Sequence, residues 1–93
     1  MKGIYYVRKK KFETSDSDLS AFLLTLGHRL INTYKRDDGY LIFEFENTQQ
    51  VQQASQDFLN NSVLVRPRSL LENLRRIRII YHQFKARKGG DLQ

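Results

Sequence analysis

Residues 66–88 have the sequence RPRSLLENLRRIRIIYHQFKARK, and the surface against which their apolar side chains pack decides the fold. Large apolar residues recur in this segment at the spacing of one helical face. They are Leu70, Leu74, Ile77, Tyr81 and Phe84. Ser69 and Glu72 have the spacing of a capping box, which satisfies backbone donors at a helix start. The segment therefore predicts an amphipathic helix that begins at Ser69.

The predicted helix also carries the positive charge of the chain. Residues 66–88 hold eight of the 16 lysines and arginines and a single acid, which gives a formal charge of +7 and leaves −1 for the rest of the chain. The basic residues flank the apolar stripe, with Arg75, Arg78, His82 and Lys85 on one side and Arg76 and Arg87 on the other. Gly89-Gly90 predicts the end of a helix over residues 69–88, and we expect a frayed tail over residues 89–93.

Length and composition favour one small domain over residues 1–93. A hydrophobic content of 40% is typical of a folded chain. The absence of cysteine excludes disulfides and thiolate metal sites, and it fits a reducing cytoplasm. No window has the roughly 18 apolar residues of a membrane span, and the N-terminal apolar run is too short for a signal peptide. We therefore expect a cytoplasmic protein with no membrane partner.

The first part of the chain predicts a strand followed by a helix. Residues 4–10 are rich in aromatic and β-branched residues, which predicts a strand. Possible cap residues then precede an apolar series at helical spacing, and Gly27 follows it. That series is Leu19, Phe22, Leu23 and Leu26. We expect the helix to end at Gly27.

Asp37-Asp38-Gly39 separates residues 29–36 from residues 40–46, which predicts a β-hairpin with its turn at these three residues. A loop of two or four residues would turn Leu30 toward the sheet face of Leu41. A loop of three residues would turn Ile31 there instead, because a slip of one residue exchanges the two faces. The sequence leaves both registers open.

The next segment predicts a second helix and a short strand. Asn47 or Thr48 caps the helix, whose buried side is formed by Val51, Ala54, Phe58 and Leu59. Val63-Leu64-Val65 predicts a strand that ends before Pro67, because proline cannot continue a central ladder. Residues 4–65 therefore have the βαββαβ order of a ferredoxin-like sandwich, and the C-terminal helix is an addition to it.

The apolar stripe of the terminal helix needs a cover. Each fully buried large apolar side chain contributes roughly 1.5–3 kcal/mol, so an exposed stripe would cost on the order of 10 kcal/mol. That is comparable to the whole stability of many small domains. Tyr40 and Ile42 are predicted on the sheet face that the first two helices leave open. We therefore expect the terminal helix to pack on the sheet, and a second copy of the chain is the alternative cover.

The segment Gly39-Tyr40-Leu41-Ile42-Phe43-Glu44-Phe45 resembles the third strand of RNA-recognition-motif domains, and Ile4-Tyr5-Tyr6-Val7 loosely resembles their first strand. In that family two strand aromatics stack on bases. If the sheet face is open, the resemblance implies contacts from Tyr40, Tyr5 and Tyr6. Asp38 and Ile42 replace the basic residue and the second aromatic of the motif. The resemblance therefore implies the fold more than RNA binding.

The chain also resembles small uncharacterised proteins encoded by phages and other bacterial mobile elements. The resemblance covers most of residues 12–80. It rests on the helix that ends at Gly27, the Phe-x-Phe strand of Phe43 and Phe45, and the second helix ending at Phe58 to Asn61. It brings no activity and no site residues with it.

Two function classes follow from the terminal helix. The first is a non-enzymatic protein that contacts nucleic-acid phosphates through Arg75, Arg76, Arg78, Lys85 and Arg87. The second is a protein-interaction or homodimerisation module. Ile79 lies opposite the apolar stripe, where a bulky β-branched residue is unexpected, and Leu71 would join it at such an interface.

An enzyme is the class that the sequence disfavours. His28 and His82 are the two histidines of the chain, and neither has a cysteine, histidine or acid at catalytic or metal-ligand spacing. Gly39 and the pair Gly89-Gly90 lack the context of a phosphate-binding loop. We expect no cofactor, no metal and no small-molecule substrate.

Overall fold

The computed structural model describes residues 5–8 and 10–91, with side chains described from Lys10 to Lys85. Four strands and three helices follow one another along the chain. They are β1 (Tyr5–Arg8), β2 (Lys11–Thr14), α1 (Ser17–Thr25), β3 (Leu30–Lys35), β4 (Leu41–Glu46), α2 (Gln49–Leu59) and α3 (Pro67–Asp91). The result is a small mixed α+β domain with an antiparallel sheet and a helix layer.

The sheet has the strand order β1-β2-β4-β3, with antiparallel pairing throughout. Strands β2 and β4 form its centre, and β1 and β3 are the two edge strands. The strand predicted within residues 4–10 forms over Tyr5–Arg8, but the chain then turns at Lys10 and returns as β2, a strand that the sequence did not predict.

The strand predicted at Val63-Leu64-Val65 does not form, so the βαββαβ order is a wrong prediction. That order needs this segment as the last strand of the sheet. In the structure β2 already has a neighbour on each side, β1 and β4, so its hydrogen-bonding edges are occupied. The segment runs outside the sheet instead, with the Leu64 side chain fully exposed.

The β3–β4 hairpin has the three-residue loop Asp37-Asp38-Gly39, since Lys35 pairs with Leu41 and the Arg36 amide donates to the Tyr40 carbonyl at 2.8 Å. Gly39 has φ +94°, a left-handed conformation that glycine adopts without steric cost. A bulge between Leu30 and Asn32 then shifts the register. Leu30, rather than the Ile31 expected for this loop length, therefore pairs with Phe45 and joins the core.

The helices α1 and α2 form where their caps predict them. The Asp16 carboxylate accepts hydrogen bonds from the amides of Asp18 and Leu19, and the Thr48 hydroxyl accepts one from the Val51 amide. Both helices pack on the sheet face that carries a continuous buried cluster. The sheet contributes Phe12, Leu41, Phe43 and Phe45, and α1 contributes Leu19, Phe22 and Leu23.

The terminal helix α3 packs chiefly against α1, so the prediction that it covers the open sheet face is wrong. Ile77 is 2% exposed within the common core, and the Asn73 amide donates to the Thr25 hydroxyl at 3.1 Å. By strand alternation the opposite sheet face carries Glu13 and Glu44 beside Ile42. An apolar stripe laid over these carboxyl groups would leave them without polar partners, whereas α1 offers an apolar flank.

The bounds of α3 also differ from the prediction. The helix begins at Pro67, not at Ser69, and the Leu70 amide donates to the Arg66 carbonyl at 3.1 Å. Proline is favoured at a first helical position because the missing amide would have no partner there. The helix continues through Gly89-Gly90 to Asp91, since glycine lowers helix propensity by about 1 kcal/mol without forcing an end. Of the predicted tail, Leu92 and Gln93 lie outside the described residues.

Candidate functional site

The outward side of α3 carries a row of basic residues, which we call the basic face. Its members are Arg68, Arg75, Arg78 and Lys85, and all four are exposed. At 1.5 Å of rise per residue the row is about 26 Å long. Among the described side chains, none of the four forms an ion pair with a carboxylate. Their charge therefore faces solvent along one helix.

Of the five residues predicted to contact phosphates, the structure brings three together on the basic face: Arg75, Arg78 and Lys85. Arg76 is exposed on the other flank of α3, where it donates to the side-chain oxygen of Asn73 at 3.3 Å. The side chain of Arg87 lies outside the described residues. Arg68, which the sequence argument did not select, extends the row toward the helix start.

Tyr81 is the residue of the predicted apolar stripe on α3 that is not buried. The periodicity predicts it among the buried residues, but its side chain is 49% exposed, and Ile80 packs against the core cluster. Tyr81 borders three adjoining clefts between α3, the start of α1 and the β3–β4 hairpin. We call this region the Tyr81 cleft. A half-exposed aromatic ring therefore lies beside the basic face.

The basic face reaches the Tyr81 cleft at two places. Arg78 lines the part next to Asp18 at the start of α1. Lys85 lines the part next to Lys35 and the hairpin. Helix α3 thus contributes both the exposed ring and a cation on either side of it, at positions 78, 81 and 85. Their spacing of three and four residues places them on neighbouring turns of the helix.

The tip of the β3–β4 hairpin forms the opposite wall of the Tyr81 cleft. The Arg36 guanidinium binds the Asp38 carboxylate, with its Nη2 2.8 Å from Oδ2 and its Nε 3.0 Å from both oxygens. This hydrogen-bonded pair holds the pKa of Asp38 below its usual value. Arg36 also stacks over the ring of Tyr40, 5.6 Å from its centroid. The hairpin tip therefore presents a fixed tyrosine and a carboxylate.

The aromatic contacts predicted for an open sheet face are placed differently. Tyr40 precedes β4 and lines the same cleft as Tyr81, 59% exposed, rather than projecting from the middle of the sheet. The side chains of Tyr5 and Tyr6 lie outside the described residues. Within the described chain, the exposed aromatic pair is thus Tyr40 and Tyr81, and half of it comes from α3.

The two residues predicted at a protein interface are both exposed. Ile79 is 57% exposed and Leu71 is 53% exposed on α3, and Leu71 borders a shallow groove with Pro67 and Arg75. The fully exposed Leu64 precedes this end of the helix. The sequence argument missed Leu64 because it placed that residue in a strand.

A metal site needs a cluster of ligating side chains, and a membrane span needs a long apolar helix. Residues 5–8 and 10–91 contain no cluster of three or more His, Cys, Asp or Glu side chains that could hold a metal ion. His82 contacts the edge of the neighbouring Tyr81 ring, with 6.1 Å between the ring centroids. Among the described helices, none is long and apolar enough to span a membrane.

Comparison with known proteins gives a family but no activity. The model of a domain of unknown function, DUF5659, matches residues 9–82, which include the sheet from β2 onward, all of α1 and α2, and most of the basic face. The chain belongs to this family. Neither the curated proteins nor the solved structures contain a match to the chain. This match confirms the coarser part of the expectation from sequence, an uncharacterised family.

Proposed function

We propose that the protein is a non-enzymatic nucleic-acid-binding protein whose basic face contacts backbone phosphates. The observation that carries the proposal is the row of exposed cations on α3, which form no ion pair among the described side chains. The helix is anchored on its other side by Ile77. Three of the four cations are arginines, whose planar guanidinium groups donate two parallel hydrogen bonds to a phosphate. Because α3 is packed against α1, the helix that carries these donors is fixed in place before the ligand arrives.

The size of the proposed footprint follows from the basic face. Four phosphate contacts would make the logarithm of the binding constant fall with the logarithm of salt concentration, with a slope of about −3.6 for duplex DNA and about −2.8 for a single strand. This slope is measured by fluorescence anisotropy of labelled duplex and single-stranded oligonucleotides. A salt range of about 50 to 300 mM covers the concentrations over which such binding weakens.

The first prediction concerns the double variant Arg75→Gln/Arg78→Gln. It removes two of the four proposed contacts, so its slope should be smaller by about 1.8 for duplex and about 1.4 for single-stranded DNA. The matched control is Lys10→Gln/Arg29→Gln, which removes the same net charge. Both control residues are exposed and lie at the end of the sheet opposite the β3–β4 hairpin. Equal effects of the two double variants, or binding that does not respond to salt, would contradict the proposal.

A second candidate function is a protein-interaction or homodimerisation module. The observation that favours it is the exposure of Ile79 and Leu71 on α3, together with Leu64. Self-association through this surface would bring Arg68 and Arg75 of one copy close to the same residues of the other. Like charges at an interface disfavour association, so the basic surroundings of these apolar residues make phosphate binding the better supported function.

The setting that we propose is a cytoplasmic protein of phage or mobile-element origin. Its support is the cysteine-free sequence, which fits a reducing compartment, and the resemblance carried by Gly27, Phe43 and Phe58. The proposal includes no cofactor and no membrane partner.

A further inference from the structure

Tyr81 is exposed at a place where packing alone gives it no role. The contact between α3 and the core is made by nearby residues of the helix, since Ile77 is buried and Ile80 and Phe84 pack against the core cluster. The Tyr81 ring is left half exposed beside Tyr40 in a cleft that opens next to the basic face. An aromatic face of this kind offers a planar, weakly hydrated surface on which another planar group can stack.

The walls of the Tyr81 cleft select what can enter it. In the part next to Tyr40, the lining comprises the apolar Leu41, the hydroxyls of Ser15 and Ser17, and the carboxylate of Asp38. The Asp38 carboxylate is already bound by Arg36, whereas the two serine hydroxyls are neutral groups that accept hydrogen bonds from an amino or imino group. The cations Arg78 and Lys85 lie in the adjoining parts of the cleft, on the side of α3. Phosphates are therefore favoured along α3, and an uncharged planar donor is favoured against Tyr40 and Tyr81.

We infer that the Tyr81 cleft binds an unpaired nucleobase stacked on Tyr81, so that the ligand of the basic face is a single-stranded nucleic acid. The inference rests on the proposed phosphate contacts of α3. Arg78 and Lys85 hold the phosphates on either side of the nucleotide whose base enters the cleft. The hydroxyls of Ser15 and Ser17 accept hydrogen bonds from the edge of that base.

The stacking geometry favours a single-stranded ligand over a duplex. Inside a duplex both faces of each base are covered by the neighbouring bases, so Tyr81 could reach a face only after a base was flipped out of the stack. In a single strand the faces are available at little cost, and stacking on an aromatic side chain tolerates any base. The cleft thus adds affinity for unpaired nucleotides to an electrostatic contact that a duplex shares.

The second prediction tests the base and the ring separately from the phosphates. A single-stranded oligonucleotide of about 12 residues, within the range of site sizes for such strands, is compared with the same oligonucleotide carrying abasic residues at its central positions. The abasic strand keeps every phosphate. We expect the wild-type protein to bind the abasic strand about tenfold more weakly than the intact strand, or more weakly still. The salt slope should be the same for both strands.

The matched variants are Tyr81→Leu and Tyr81→Phe. Leucine removes the ring, so it should lower the affinity for the intact strand by about the same factor and leave the abasic strand unaffected. Phenylalanine keeps the ring and should retain the affinity for both strands. If Tyr81→Leu does not fold, the wild-type protein with the two strands decides the question.

The outcomes separate this inference from the proposed function. Salt-dependent binding that is equal for intact and abasic strands would overturn the stacking site and leave the phosphate contacts standing. Salt-dependent binding that is tighter for a duplex than for a single strand would do the same. The absence of salt-dependent binding to any strand would overturn both. Loss of affinity in Tyr81→Leu with retention in Tyr81→Phe supports both.

Discussion

Glu44 is a carboxyl group buried in the middle of a sheet face. It is 3% exposed, and in the β2–β4 register it lies directly across from the buried Glu13. Lys11 approaches its Oε1 at 3.7 Å, and Asn32 lies across from it on β3. A side-chain hydrogen bond with Glu13 is the main cause that raises the pKa of Glu44 above its ordinary value, and burial adds to it. Lys11 and Asn32 act in the opposite direction.

The raised pKa predicts how stability depends on pH, which is the third prediction. The stabilising contribution of a protonated Glu44 is fully present below its unfolded pKa, close to 4.5, and is lost as the pH rises through the higher folded pKa. Glu44→Gln keeps a neutral side chain at every pH. The variant should therefore unfold at a higher urea concentration than the wild type at neutral pH, and the difference should shrink as the pH falls toward 4.5.

The control for this prediction is Glu46→Gln, the same change at an exposed position of β4. The control passes if it does not reproduce the change with pH that is expected of Glu44→Gln. A Glu44→Gln variant that is less stable than the wild type, most of all at neutral pH, would show that the carboxylate is stabilising and would contradict the argument. The stability of both variants is measured by urea unfolding at several pH values between about 4 and 8.

The sequence predicts which face of the sheet carries Glu44, but it does not predict that Glu44 is buried. Strand alternation correctly assigns Glu44 to the face of Ile42, opposite Phe43 and Phe45. Its burial depends on Glu13, which lies 31 positions away in sequence and becomes its neighbour only through the β2–β4 pairing. The same limit applies to Tyr81, whose exposure is decided by where the hairpin and α1 stop, rather than by its position in the helical repeat.

For helix α3, too, the sequence predicts one side of a contact but not the other. The apolar period correctly predicts which side of the helix is buried, since Leu70, Leu74, Ile77 and Phe84 all pack against the core cluster. The period contains no information about the surface on the other side of the contact. An apolar stripe fits α1 as well as it fits a sheet, and the carboxyl groups on the open sheet face decide between them.

The strand predicted at residues 63–65 fails to form for a related reason. Residues 63–65 have a strand composition, yet β-propensity mainly describes fitness for a half-buried pleated surface, and that surface must have a free edge. The pairing of β1 with β2 occupies the edge of β2 that this segment would need. Turn chemistry did better, because the loop Asp37-Asp38-Gly39 specifies its own geometry through Gly39.

The fourth prediction tests the contact between α3 and α1. Ile77→Ala removes a buried side chain from this contact and should lower the free energy of unfolding by about 2–5 kcal/mol. Ile79→Ala makes the same chemical change two residues away, where the side chain is 57% exposed, and should change it by at most about 0.5 kcal/mol. Urea denaturation followed by circular dichroism compares the two. Similar losses in both variants would mean that the outward side of α3 is also covered, as an interface through Ile79 requires.

At the scale of the whole molecule, charge and apolar exposure coincide on α3. The basic face and the exposed Leu71 and Ile79 share one helix, and the chain has a net charge of +6. The two candidate functions use the same surface and therefore compete for it. Their driving forces respond to salt in opposite directions. Added salt weakens phosphate contacts by counterion competition, but it screens the repulsion between two basic helices and so favours self-association.

The fifth prediction uses this difference in sign. We expect sedimentation equilibrium at high micromolar concentration to give a mass of 11.1 kDa, that of one chain, at both low and high salt. Low salt disfavours a dimer because Arg68 and Arg75 would meet their own copies, and high salt leaves only the small apolar area of Leu71 and Ile79 to drive it. A mass that doubles as salt is added, and that returns to one chain in Ile79→Ala, would favour the interaction module. A mass of one chain at both salt concentrations leaves the cations of α3 open to a ligand of opposite charge.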